Sequence, residues 1–211
     1  MTTRILVADD HPVVRLGLRD LLTEQFAGVT VGEARTIPEL LEQVRAKEWD
    51  ILVLDISLPG ANGLDALRTL KQIRPNLPVL VLTIHPEDQF GVRALKSGAA
   101  GYLNKETAPE ELVSAIRRIL SGGKYMSPVL AEAFASQEGG QNAAVPHETL
   151  SEREYQVFCM IAGGKTLTAI GRELGLSLKT ISTYQARIRE KTKLQNREEI
   201  THYAIRQGLV H

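Results

Sequence analysis

Four apolar runs in the first half of the chain each end on a charged or hydroxyl residue, and this limits the fold more than any other feature. Ile5-Leu6-Val7-Ala8 runs into Asp9-Asp10, Ile51-Leu52-Val53-Leu54 into Asp55, and Val79-Leu80-Val81-Leu82 into Thr83. A shorter run, Gly101-Tyr102-Leu103-Asn104, ends on Lys105. Unbroken runs of β-branched residues and leucine lack the alternation of a half-exposed strand. They read as strands covered on both faces, and therefore as parallel strands. An open parallel sheet collects function in the crevice beyond the carboxyl ends of its strands. Three carboxylates, a hydroxyl and an ammonium reach that edge, a donor set suited to a divalent cation and a phosphoryl group.

Helical periodicity fills the gaps between the runs, over 12–26, 37–47, 64–73, 87–97 and 109–121, with one more strand at 29–34. Strict alternation of this kind predicts five parallel strands with helices on both faces. Turn chemistry agrees: Leu58-Pro59-Gly60-Ala61-Asn62-Gly63 follows Asp55 closely, Arg74-Pro75 stops the third helix, and His85 sits in a loop before Pro86. Ser127-Pro128 opens a short helix to about residue 135. Residues 137–146 are polar, glycine-bearing and aperiodic, the composition of a flexible linker.

From Leu150 onward only helices are signalled. Ser151 with Glu154 three residues later is a capping box for a helix to about residue 162. A second helix covers 167–174, Gly175 turns the chain, Ser177 caps a long helix to about 191, and Asn196 caps a last one that ends before Gly208. Two helices joined by a short glycine turn, the second one basic, form the helix-turn-helix pattern. Charge points the same way. The formal net charge of zero conceals a carboxy-terminal piece in which Lys179, Arg187, Arg189, Lys191 and Lys193 face only Glu190. Such a face suits a polyanion.

The 211 residues are sufficient for two domains, and the 43% hydrophobic content supplies their cores. Apolar runs stop far short of the roughly 20 residues that span a bilayer. The start, Met1-Thr2-Thr3-Arg4, lacks the layout of a signal peptide. A lone Cys159, read as core, fits a reducing compartment, so a cytoplasmic protein without membrane partners is expected.

On these residues the chain resembles the NarL/FixJ family of two-component response regulators. Residues 1–124 are similar to a receiver domain of flavodoxin-like fold, 125–147 form a linker with a short helix, and 148–211 are similar to a LuxR-type helix-turn-helix domain. The expected fold is therefore an α/β five-stranded doubly wound parallel sheet followed by a small all-α domain. The resemblance implies a phosphorylation-controlled transcriptional regulator, not an enzyme. Asp55 would accept a phosphoryl group from a cognate sensor histidine kinase. Asp10, Asp55 and the Ser57 carbonyl would hold Mg²⁺, with Asp9 acting through water or from behind them. Lys105 and the Thr83 hydroxyl would contact phosphoryl oxygens, and Thr83 with Tyr102 would form the switch.

For the second domain the resemblance implies a double-stranded DNA operator, read from the long helix. Lys179, Thr180, Ser182, Thr183, Ala186, Arg187 and Lys191 are the expected contacts, with Ile181 and Ile188 turned to the core. Ser182, Thr183 and Ala186 are small and weakly polar where relatives are lysine-rich, which shifts weight to shape readout. Pairing into a homodimer is expected on phosphorylation or DNA binding, through an apolar strip of Ile200, Tyr203 and Ala204 or through receiver surfaces, with RNA polymerase as a further partner. A haloacid-dehalogenase-type phosphatase is disfavoured, because Asp9-Asp10-His11 does not supply its Asp-x-Asp motif. A regulator working without phosphorylation is disfavoured by the full set of Asp9, Asp10, Asp55, Thr83 and Lys105.

Overall fold

The strands run β1 Arg4–Ala8, β2 Thr30–Ala34, β3 Ile51–Leu54, β4 Val79–Thr83 and β5 Gly101–Asn104, in a computed structural model that describes residues 2–58, 63–84, 87–138, 146–207 and 209–210. All are parallel, in the order β2-β1-β3-β4-β5. Helices α1 Pro12–Gln25, α2 Ile37–Ala46, α3 Gly63–Ile73, α4 Glu87–Lys96 and α5 Ala108–Leu120 connect and follow them. The turn expected at 59–62, the His85-Pro86 loop, the central linker residues 139–145 and the Gly208 stop lie outside the described residues.

The expected doubly wound sheet is what forms, for the reason its sequence announced: Ile5–Ala8, Ile51–Leu54 and Val79–Thr83 are buried at every position. Their register aligns the site. Ala8 pairs with Leu54, so Asp9 and Asp55 leave the sheet side by side, and Thr83 pairs with Asn104, which places Lys105 next to them. One face carries a core of Ile5, Val7, Ile51, Val53, Leu80 and Leu82 against Leu18, Leu22, Leu112 and Ile116 of α1 and α5. Burying each such side chain contributes about 1.5–3 kcal/mol. Gly63 marks a tight spot, since a Cβ there would lie 2.2 Å from the Ile56 carbonyl oxygen in the loop that carries Asp55.

The chain divides into two units, Met1–Gly140 and Gln141–His211. Helix α6, Pro128–Glu138, lies in the first and runs past the residue-135 end read from sequence. Its alanine-rich stretch favours helix, and Leu130 is buried against α4.

The second unit holds α7 Glu152–Ala162, α8 Leu167–Glu173, α9 Leu178–Thr192 and α10 Arg197–Arg206, after a 3₁₀ turn at Pro146–Thr149. Three of the four caps are those expected, and Thr166 is one the sequence reading passed over. Ser151 and Glu154 form the reciprocal box, and Thr166, Ser177 and Asn196 accept from the third backbone N–H of their helices. Gly175, at φ +64°, makes the turn between α8 and α9. A Cβ on Gly171 would meet the Leu176 carbonyl oxygen at 2.8 Å, so glycine lets the two helices close. Tyr155, Phe158, Cys159, Ile161, Ile170, Ile181, Ile188, Ile200 and Ala204 fill the core. The apolar strip expected on α10 for pairing turns inward instead. Ile200 and Ala204 are fully buried, half-buried Tyr203 hydrogen-bonds His147, and the exposed apolar residue of that helix is Ile205.

Candidate functional site

At the carboxyl edge of the sheet, Asp9 and Asp55 are almost wholly buried, at 1% and 3% exposure, while Asp10 stands at the mouth. Backbone pairing holds them there: Asp9 N–H donates to Ala34, and Asp55 N–H to Ala8. Burial of two carboxylates is tolerable only with a cation or donors at hand. Lys105 provides the cation. Its Nζ lies 2.7 Å from Asp55 Oδ2 and 2.5 Å from Asp9 Oδ2. Burial alone would lower the Lys105 pKa. The hydrogen bonds and charges of Asp55 and Asp9 outweigh it and raise the value above the ordinary one, so the ammonium stays charged. Asp55 Oδ1 accepts from the Ser57 N–H at 2.8 Å, which turns the loop after β3. Lys105 N–H donates to the Thr83 carbonyl, and Thr83 itself is fully buried at the same edge. Tyr102, the second residue of its run, is buried at 2% exposure.

Two residues complete this edge without having been read from the sequence. His11 donates its N–H to Asp9 Oδ1 at 2.8 Å, and its ring lies 2.9 Å from Asp10. Arg15 is buried, donates to the Asp9 carbonyl at 2.8 Å and to Glu33 at 3.2 Å, and so clamps the end of β1 to β2. Its signal was only a basic residue on the inward stripe of α1. Helical phase gives the face but not the partner.

The oxygens of Asp9, Asp10 and Asp55 and a ring nitrogen of His11 lie within 4.8 Å of one another. Asp9 Oδ2 is buried and lies against the Lys105 ammonium. Three carboxylates against one ammonium leave an excess of negative charge on hard oxygen donors. That donor set fits a small divalent cation that keeps part of its water shell.

In the second unit, Lys179, Ser182, Thr183, Ala186 and Arg187 are exposed on α9, while Ile181 and Ile188 are fully buried. Thr180 is half-buried, and its N–H and hydroxyl both engage the Ser177 cap. Ser182 Oγ donates to the Leu178 carbonyl at 2.9 Å and Thr183 Oγ1 to that of Lys179 at 3.0 Å. Their hydroxyl protons are thus turned into the helix. Lys191 is engaged within its own domain: its Nζ lies 2.6 Å from Glu154, whose carboxylate is buried. Burial pushes the Glu154 carboxyl up, but the Lys191 and Ser151 hydrogen bonds prevail and its pKa lies below the ordinary value. Leu178, 53% exposed at the first turn of α9, was not foreseen.

Known proteins resemble both units of the chain. A response regulator receiver domain model matches residues 5–117, and a model of bacterial regulatory proteins of the luxR family matches 148–204. Response regulator UvrY of Escherichia coli (strain K12) is 38% identical over 207 residues, covering 97% of this chain and 94% of the relative. Response regulator GacA of Pseudomonas aeruginosa is 37% identical over 208 residues, covering 98% and 97%. Among solved structures, RcsB of Salmonella enterica serovar Typhimurium, bound to promoter rprA in the presence of the phosphomimetic BeF3⁻, is 27% identical. It has a TM-score of 0.61, with 96% of this chain and 98% of that one covered. In another similar structure, two RcsB dimers are bound to two parallel DNAs, at 26% identity, a TM-score of 0.60 and full coverage of both chains. No helix among the described residues is long and apolar enough to cross a membrane.

Proposed function

The chain belongs to the two-component response regulators that join a receiver domain to a luxR-family DNA-binding domain, and from that premise we propose that Asp55 is the phosphoacceptor controlling DNA binding by α9. The observation that carries this reading is Lys105 held by two buried carboxylates, Asp9 and Asp55, with Asp10 at the mouth. A carboxylate attacks phosphorus only if the charges around it are balanced, since donor, acceptor and transferring group are all anionic. A phosphohistidine of the cognate kinase is the donor. Its N–P bond breaks as an O–P bond forms at Asp55, and the imidazole regains a proton.

Asp10, Asp55 and the Ser57 carbonyl are the proposed ligands of Mg²⁺, with Asp9 behind them. The ion neutralises phosphoryl oxygens when bound. Lys105 is pre-positioned by the same carboxylates and can exchange its contact with Asp55 for one with a phosphoryl oxygen. The Thr83 hydroxyl donates to another such oxygen, and the space it vacates is filled by Tyr102. His11 orients Asp9 and Asp10, and Arg15 fixes the backbone that carries them.

At the other end, the amino-terminal half of α9 enters the major groove of a double-stranded operator. Lys179 and Arg187 supply the charge. Thr180, whose hydroxyl and N–H serve the cap, places the first turn, and Ser182, Thr183 and Ala186 approach base edges. Lys191 acts chiefly as the partner of Glu154. Two copies pair on an operator of two half-sites, a reading supported by the similar structure in which RcsB dimers are bound to DNA. Ile205 and the receiver surfaces are the candidate contacts, and RNA polymerase is the proposed downstream partner. Such a regulator works in the cytoplasm, where the bacterial chromosome is.

Acetyl phosphate with Mg²⁺ should add one phosphoryl group by intact mass to the wild type and none to Asp55→Asn. The phosphorylated protein should retain operator DNA at lower concentration than the unmodified one. An unchanged mass for the wild type, or the same gain in Asp55→Asn, overturns the assignment.

A further inference from the structure

Between α5 and α6 the chain does not leave the sheet. Gly122, at φ +88°, turns it back. Tyr125 N–H then donates to the Ala100 carbonyl at 3.0 Å, and Tyr102 N–H donates to the Tyr125 carbonyl at 3.0 Å. The pair of bonds straddles Gly101, where a Cβ would lie 2.7 Å from the Tyr125 oxygen. The outer edge of β5 is thereby closed by the chain's own next segment. The Tyr125 hydroxyl anchors it further by donating to Glu111 on α5 at 2.5 Å.

Helix α6 then docks on α4. Ser127 N–H donates to Glu87 Oε1 at 3.3 Å, and Ser127 Oγ accepts from Leu130 N–H at 3.1 Å. Leu130, 2% exposed, fills a gap that α4 leaves for it, since a Cβ on Gly91 would lie 2.7 and 2.8 Å from its two terminal methyls. Glycine weakens a helix interior. Its place in the middle of α4 makes sense as room for this contact. Phe134, one turn after Leu130, lies under Lys124 at 5.1 Å.

Strand parity decides what this segment borders. Leu80 pairs with Gly101 and Leu82 with Leu103, and Leu80, Leu82 and Leu103 belong to the core under α1 and α5. Tyr102, paired with Val81 between them, therefore points to the opposite face, the one α4 covers. Its ring is buried there, its N–H is held by Tyr125, and the outer side of α4 carries Leu130. Swinging the ring outward would disturb α4 or the β5 edge, and residues 124–138 are fastened to both.

We propose that residues 124–138 form a strap whose docking on β5 and α4 is coupled to the position of Tyr102, so that α6 is the element through which the switch acts on the chain beyond it. The inference rests on the phosphorylation of Asp55 proposed above. Docked strap and buried Tyr102 are one state, and phosphorylation, by drawing Thr83 toward the phosphoryl group, favours it. The strap tightens on activation, and α6 delivers that change directly into the segment preceding the second unit. Couplings of this kind amount to about 5–150-fold in affinity.

Amide exchange on the full chain, with and without beryllofluoride and Mg²⁺, tests the strap directly. Residues 125–138 should exchange more slowly with the mimic. Gly91→Ala drives a methyl into Leu130, and Leu130→Ala removes the group that fills the gap. In both variants the protection should vanish, and the gain in DNA affinity on phosphorylation should fall toward onefold while intact mass still shows one phosphoryl group. Leu130→Ala lies on the docked helix and leaves the sheet core in place, so it reports even where Gly91→Ala unfolds. Unchanged exchange in 125–138, or variants that keep the full gain, overturns the strap while leaving the role of Asp55 standing. Failure of the wild type to gain a phosphoryl group overturns both, and the mass measurement tells the two apart.

Discussion

The edge of the sheet and the outer face of α9 both handle phosphate chemistry in the proposed function, yet they are built in opposite ways. At the sheet edge the charges are buried and already in contact: Asp9 and Asp55 are nearly inaccessible, and Lys105 touches both. On α9 the charges of Lys179 and Arg187 stand in solvent, and the hydroxyls between them bond their own helix. The difference follows from what each must do. Transferring a phosphoryl group requires fixed charges in a poorly screened site, because reorganising them at the moment of reaction would cost rate. Meeting a polyanion requires only mobile positive charge that displaces counterions.

The largest expected effect lies at the buried end. Mg²⁺ at a hundredfold excess over its Kd should stabilise the first unit by about 2.7 kcal/mol, read as a rise in Tm. Asp10→Ala should abolish that gain while leaving the Mg²⁺-free fold intact, since Asp10 stands at the mouth of the site. A gain that survives Asp10→Ala would mean the ion binds away from the buried carboxylates.

Next in size is Glu154, a buried carboxylate of the second unit. Glu154→Ala removes half of the capping box and the partner of Lys191, and should cost about 1–2 kcal/mol in urea unfolding. The pH dependence has a definite sign. Glu154 has its pKa lowered on folding, so its contribution is present above the ordinary value near 4.5 and disappears as pH falls through the lowered one. Wild type should therefore lose stability faster than Glu154→Gln on acidification below about that value. Parallel acid profiles would show that the pair contributes nothing.

The exposed charges should act more gently. Lys179→Ala and Arg187→Ala should each reduce the slope of log Kd against log salt by about 0.9 and weaken binding by a similar factor on all DNA sequences. A loss confined to one base position would move that residue from phosphate contact to base readout. Lys191→Ala should shift stability more than the salt slope, because its charge is already paired.

The smallest effect is expected at the hydroxyls of α9. Ser182→Ala and Thr183→Val remove hydroxyl protons that are already committed to the Leu178 and Lys179 carbonyls. Each should change operator affinity by less than about 0.5 kcal/mol. A tenfold loss in a filter-binding titration would show that these hydroxyls turn outward on DNA, and that the face reads bases by direct hydrogen bonds.

Everything tied to local period and to strand ends was written in the sequence. Apolar runs of four or five residues specify buried parallel strands, and whatever follows each run emerges at one edge. That is why Asp9, Asp10, Asp55, Thr83 and Lys105 were legible together. Capping residues Ser151, Ser177 and Asn196 were legible too, because a cap bonds its own helix within three residues. Partnerships between residues far apart in the chain came only with folding. Arg15 on Asp9 and Glu33, Lys191 on Glu154, and Leu130 against Gly91 have no mark in the local pattern. Ile200 and Ala204 show the same limit from the other side. Helical period sorts residues onto a stripe, but whether that stripe meets the protein's own core or a second copy depends on where the other helices pack. Spacing along a chain encodes direction, and only folding supplies the neighbour.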